Sequence, residues 1–181
     1  MMGEFGRIDV IVNNAGISTI VPAEETTLAD WERTLAVNLT GPFLISREFG
    51  KEMLRQGSGR IVNVSSVAGL LGISDRAAYN ASKHGLIGLT RTLAAEWGGR
   101  GVRVNAISSG PVRTLAGTGI AGFKGLYGRF RDIAPLRRNI GIDDVGGVAV
   151  FLASELAGSI TGEVLYVDAG FNILGVAAAE G

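Results

Sequence analysis

The chain contains no cysteine, a single histidine, four prolines and no excess of either charge across its 181 residues. Without cysteine there are no disulfides and no thiol nucleophile, a composition that suits the cytoplasm. The one histidine, His84, has no cysteine, aspartate or glutamate at metal-ligand spacing beside it, so a solvated helix position is expected and no metal. Zero net charge argues against non-specific nucleic-acid binding. No apolar run approaches the ~18 residues of a membrane span, and no signal sequence opens the chain, so no membrane partner is expected. What is present is apolar matter: 46% of the residues are hydrophobic, enough for one sizeable core over residues 1–181.

That apolar matter falls into short β-branched runs separated by helical segments. Residues 8–12 (Ile-Asp-Val-Ile-Val), 59–64 (Gly-Arg-Ile-Val-Asn-Val), 102–107 (Val-Arg-Val-Asn-Ala-Ile) and 163–167 (Glu-Val-Leu-Tyr-Val) have the character of buried parallel strands. Helices are expected over 27–56, from Tyr79 to about Trp97, and from the Asp143-Asp144 cap to about Ser154. In the first of these, Leu28, Trp31, Leu35, Leu39, Phe43, Met53 and Leu54 form the apolar stripe. Alternating strands and helices predict an α/β fold, a parallel sheet with helices on both faces. Residues 113–142 are the least regular, broken by glycines 117, 119, 122, 125 and 128 and locally basic, with Arg113, Lys124, Arg129, Arg131, Arg137 and Arg138 against Asp132. They are either a solvated loop or a substrate lid that meets phosphate or an acidic carrier. The string Gly117-Thr118-Gly119-Ile120-Ala121-Gly122 matches a dinucleotide fingerprint. No apolar strand precedes it, so it is set aside.

The chemistry concentrates in Ser65-Ser66 and in Tyr79-Asn80-Ala81-Ser82-Lys83. Positions four apart share a helix face, so the Tyr79 hydroxyl and the Lys83 ammonium meet one site. A nearby cation lowers a tyrosine pKa from about 10, and a phenol so tuned passes a proton to or from an alcohol or carbonyl oxygen. Ser66, at the tip of the preceding strand, can offer that oxygen a second hydrogen bond. An ordinary amphipathic pair on a helix is the plain alternative. Asn13-Asn14-Ala15-Gly16 ends the first strand with small side chains, where a ligand can approach backbone. Pro42 has no N–H to give the Asn38 carbonyl, which predicts a kink and a carbonyl able to hold water; packing alone could equally explain the kink.

Asn-Asn-Ala-Gly, Asn38, Ser66 and Tyr79-x-x-x-Lys83, in this order, resemble the short-chain dehydrogenase/reductase family, from Phe5 to Asn172. The resemblance implies a Rossmann-like doubly wound parallel sheet and NAD or NADP as cofactor. It implies Tyr79 as acid/base and Lys83 as the group that lowers its pKa and holds the nicotinamide ribose. Ser66 would position the substrate oxygen, and Asn38 would hold a relay water through its main chain. Asn13, Ala15 and Gly16 would lie along the cofactor, with Pro111, Val112 and Thr114 at its carboxamide and pyrophosphate. Family members form dimers or tetramers, so a homo-oligomer is expected.

Against the family pattern, the chain corresponds to strands four to seven, N-terminally truncated, without the glycine-rich phosphate loop. The first strand is then expected to be an unprotected apolar edge. Residues 8–107 resemble 3-oxoacyl-acyl-carrier-protein reductases, and residues 108–172 resemble enoyl-acyl-carrier-protein reductases. The latter place their tyrosine seven positions before the lysine, where this chain has Arg76. The resemblance therefore implies hydride transfer at a carbonyl/alcohol carbon of a small molecule or acyl thioester, with acyl carrier protein a candidate partner. An enoyl reductase and an inactive fragment are the alternatives.

Overall fold

The computed structural model describes residues 6–113 and 123–175. Its centre is a four-stranded parallel sheet in the order β1 (Val10–Asn13), β2 (Gly59–Val64), β3 (Val102–Ser109) and β4 (Val164–Val167). Ile11 pairs with Ile61, Ile61 with Val104 and Ile107 with Leu165, so the β-branched runs stand side by side. This is the expected α/β, Rossmann-like arrangement.

Helices cover the two faces unequally. Between β1 and β2 run α1 (Leu28–Leu35), a π-helical turn (Ala36–Thr40) and α2 (Gly41–Gln56). Between β2 and β3 runs α3 (Ala77–Trp97), and α4 (Phe123–Ile133) and α5 (Ile142–Ala153) follow β3. On the α2/α3 face Ile11, Ile61, Val102 and Val104 bury against Met53, Leu93, Ala94 and Trp97. On the other face Val62 and Ile107 bury against Leu152 and Ala157. Strand alternation sorts these residues, since successive side chains point to opposite faces. Val10 and Val12 point away from the α2/α3 face and are 40% and 49% exposed, as expected of an apolar edge strand.

The helical stripe differs from expectation. The fully or nearly fully buried positions of α1, the π turn and α2 are Thr34, Asn38, Pro42, Ser46, Gly50 and Met53, an almost unbroken four-residue repeat. Leu28 and Phe43 are exposed, together with Leu44 and Ile45. The inward face is small and polar because it crosses its neighbours closely: a Cβ on Gly50 would fall 2.7 Å from the Trp97 ring. The proline acts as expected on the helix. With no N–H at Pro42, the ladder slips by one residue, and the Gly41 N–H bonds the Ala36 carbonyl in a π turn.

Within 113–142 the glycines do not prevent α4 from forming. Phe130 and Ala134 bury beneath it with Ile140 and Ala169. Helix α5 begins at Gly141, whose N–H donates to Asp144 Oδ2 at 2.7 Å, so Asp144 does the capping. Arg138 pairs with that carboxylate at 2.9 Å, and the Arg138 hydrogen bond, followed by that of the Gly141 N–H, lowers the Asp144 pKa to about 2. Thr114, the side chain of Lys124 and the glycine string 117–122 lie outside the described residues.

Candidate active site

Every strand ends at the same edge of the sheet, the edge at which open α/β sheets bind ligands. Ser66 leaves the end of β2 in extended conformation (φ −163°, ψ 161°) and starts a short 3-10 turn. Its Oγ accepts the Ala68 N–H at 3.2 Å, which leaves the hydroxyl hydrogen free to donate. Ser66 lies close enough to the Tyr79 phenol to favour its ionised form. Tyr79 lies in the first turn of α3, and the Lys83 ammonium sits 5.7 Å from its ring centroid. Lys83 is 4% exposed and its Nζ donates to the Val64 carbonyl at 2.7 Å. The three side chains expected to act together are therefore together.

Asn38 is the clamp that holds this cluster to the β1 loop. Its Oδ1 accepts the Ile17 N–H at 2.9 Å, and its Nδ2 donates to the Ile17 carbonyl at 2.9 Å and to Ser82 Oγ at 3.1 Å. Ser82 in turn donates to the Tyr79 carbonyl at 2.7 Å. A Cβ built on Gly16 would lie 3.5 Å from Asn38 Oδ1 and 3.7 Å from Lys83 Nζ. Ala15 and Gly16 thus present exposed backbone beside the buried ammonium.

Asn13 turns its side-chain amide into the protein. Its Nδ2 donates to Ser46 Oγ at 3.1 Å and to Asn63 Oδ1 at 2.8 Å, which uses both amide hydrogens inside the protein. Asn63 continues to Thr90 Oγ1 at 2.9 Å, and Thr90 to the Leu86 carbonyl at 2.8 Å. Pro111 and Val112 leave the end of β3, where Val112 bridges to Ile140. His84 is exposed. Sequence reasoning passed over Ser82, Asn63, Thr90 and Ser46. Asn63 carried a signal, a polar residue inside an apolar strand run.

The electrostatics correct one expectation. Burial pushes the Tyr79 phenol above its ordinary value, against the smaller lowering effects of the Ser66 hydrogen bond and the Arg76 charge. The Lys83 ammonium is directed at the Val64 carbonyl. Burial also brings Lys83 itself down to about 8. In this arrangement, desolvation outweighs charge for both groups.

The comparisons agree with this geometry. A family model described as Enoyl-(Acyl carrier protein) reductase matches residues 1–172. D-threitol dehydrogenase of Mycolicibacterium smegmatis is 46% identical over 171 residues, 94% of this chain and 65% of the relative. A 3-oxoacyl-[acyl-carrier-protein] reductase of Aquifex aeolicus is 41% identical over 163 residues, 90% of this chain and 65% of the relative. The chain belongs to the short-chain dehydrogenase/reductase family. Among solved structures, a gluconate 5-dehydrogenase from Burkholderia cenocepacia in complex with NADP and tartrate superposes with a TM-score of 0.91. It is 29% identical, and the match covers 96% of this chain and 68% of that one. The chain thus spans about two thirds of the length of these relatives.

The residues present fit the nicotinamide–ribose end of the cofactor that several structural relatives hold. Exposed Gly16 lies beside the buried ammonium, where an added Cβ would meet only Asn38 Oδ1 and Lys83 Nζ, at ordinary contact distance.

Proposed function

We propose that this chain carries the reaction centre of an NAD(P)-dependent oxidoreductase acting on a CH–OH/C=O carbon. The observation that carries it is the Lys83 ammonium, 4% exposed and 5.7 Å from the Tyr79 ring centroid, beside exposed Gly16 and with Ser66 near the phenol. Ala15, Gly16, Tyr79 and Lys83 would hold the cofactor's nicotinamide–ribose end, with Pro111, Val112 and Thr114 further along it. A bound nicotinamide would supply or accept the hydride. In the reducing direction Tyr79 gives its proton to the carbonyl oxygen, which the Ser66 hydroxyl steadies as charge develops on it. The raised phenol pKa keeps Tyr79 protonated at neutral pH, the state a general acid needs. The Asn38 carbonyl, denied the Pro42 N–H, holds a water that restores the proton.

The four-residue spacing of Tyr79 and Lys83 favours carbonyl over enoyl reduction, because Arg76 stands where the enoyl reductases have tyrosine. The relatives act, by their names, on a polyol, an acyl-carrier thioester and a sugar acid. A small hydroxy compound or a 3-oxoacyl thioester is therefore the substrate class, with acyl carrier protein as partner in the second case. A cytoplasmic homo-oligomer completes the reading; exposed Phe43, Leu44 and Ile45 on α2 are its candidate contact.

Side-by-side assays with NADH and NADPH test the reaction class. Acetoacetyl thioester is reduced, and cofactor deuterated at C4 leaves its label on the carbinol carbon. Reduction of a crotonyl thioester in preference to the ketone would reverse the assignment.

A further inference from the structure

Helix α3 opens on Arg76, one turn before Tyr79, and the backbone there is fixed from both sides. The Val21 N–H donates to the Asp75 carbonyl at 2.9 Å, and Asn80 Nδ2 donates to the Ile73 carbonyl at 2.8 Å. Between them Asp75 takes a positive φ of 60°, a conformation that costs a non-glycine residue energy and recurs at functional sites. The Arg76 carbonyl accepts the Asn80 N–H at 2.8 Å, so the residue is committed to the helix start.

Its guanidinium is in a different situation from the other arginines. Arg60 pairs with Glu155 and Arg138 with Asp144, and Arg103 caps the end of α5 through the Leu152 and Ser154 carbonyls. The arginines without a partner among the described residues are otherwise exposed: Arg33, Arg91, Arg100, Arg113 and Arg129. Arg76 is half-buried and likewise has no hydrogen bond or ion pair from its side chain among the described residues. A half-buried guanidinium with five donors and no protein partner among the described residues can bind an anion. Its field reaches the phenol that would exchange the proton.

We propose that Arg76 is a specificity-determining residue that pairs with a substrate carboxylate, making the preferred substrate a small hydroxy acid or the corresponding oxo acid. The inference rests on the oxidoreductase reading for its reacting centre and adds the charge of the substrate. The guanidinium fork matches a carboxylate in shape and binds it with charge-assisted hydrogen bonds.

The test compares 3-hydroxybutyrate with butane-1,3-diol, which keeps the same CH–OH carbon and replaces the carboxylate by a neutral hydroxymethyl. Turnover with NAD+ and NADP+ and direct binding by saturation-transfer NMR are measured for the 181-residue chain, Arg76→Gln and Arg76→Lys. The parent prefers the acid. In Arg76→Gln the acid-to-diol ratio of kcat/KM falls on the order of 10- to 100-fold, chiefly through KM, and Arg76→Lys restores part of it. An unchanged ratio, or equal losses for acid and diol, overturns the inference. Absence of turnover of both compounds by the parent counts against the oxidoreductase reading alone. Binding then decides on Arg76: anion preference lost in Arg76→Gln supports it, and equal binding of acid and diol by the parent overturns it.

Discussion

The two faces of the sheet are built on different principles. On the α5 face, Val62, Ile107, Leu152 and Ala157 make an apolar contact whose strength is the area it buries. On the α2/α3 face, hydrocarbon fills only the end near Trp97, Met53 and Val102. Toward the strand C-termini the same face buries Asn38, Ser46, Asn63, Ser82, Lys83 and Thr90. Asn38, Asn63, Ser82, Lys83 and Thr90 each have a named hydrogen-bond partner, as buried polar groups require. The apolar face tolerates any close-packed filling, whereas the polar face specifies one arrangement. A proton-transferring site placed on the second gets its geometry from the hydrogen bonds that hold the fold.

That contrast can be broken experimentally, beginning with the largest effect. On the proposed function, Tyr79→Phe deletes the hydroxyl that would exchange the proton; turnover falls about 10²- to 10⁴-fold with an unchanged circular dichroism spectrum. Leu152→Ala, on the apolar face, costs about 2–5 kcal/mol of unfolding free energy in a urea titration while kcat per folded molecule holds, because no site residue touches it. Lys83→Met has a sign that depends on pH. The folded pKa is about 8 against an ordinary 10.5, so the folded chain bears the cost of the buried charge fully below pH 8. The cost is relieved as pH rises from 8 to 10.5, where only the unfolded chain still holds the proton. The variant is therefore the more stable protein at pH 7, by up to about 3 kcal/mol, and loses that advantage by pH 10.5. Asn38→Ala strands the part-buried Ile17 N–H; it lowers stability by about 1–3 kcal/mol and, on the proposed function, activity with it, so fold and catalysis fail together on this face. Thr27→Ala removes the cap that accepts the Asp30 N–H at 3.1 Å, at a cost of about 1 kcal/mol and no catalytic effect.

Much of this was legible in the chain itself. β-branched runs located the four strands of the described sheet, Pro42 predicted a kink where the π turn lies, and the Tyr79–Lys83 spacing with Ser66 singled out side chains that the fold places near one another. What escaped has a common cause. Apolar periodicity assumes that the inside of a helix is apolar, and along α1 and α2 the inside is Thr34, Asn38, Pro42, Ser46 and Gly50. Leu28 and Phe43 therefore pointed the wrong way. The direction of the Tyr79 pKa also escaped, because spacing reveals that a cation is near and not that burial outweighs it. Asn13 matched a ligand-binding string, yet its amide is spent on Ser46 and Asn63, a commitment that only the fold displays.

The most direct test of the Ser66–Tyr79 site is the titration of that phenol. With ring-labelled tyrosine, three resonances are followed by 13C NMR, and Tyr79→Phe assigns the one in question. The account predicts that Tyr79 titrates above its ordinary value and that Ser66→Ala moves it higher still, since the serine hydrogen bond favours the phenolate. A Tyr79 resonance that titrates like a solvated tyrosine and ignores the loss of Ser66 would contradict it.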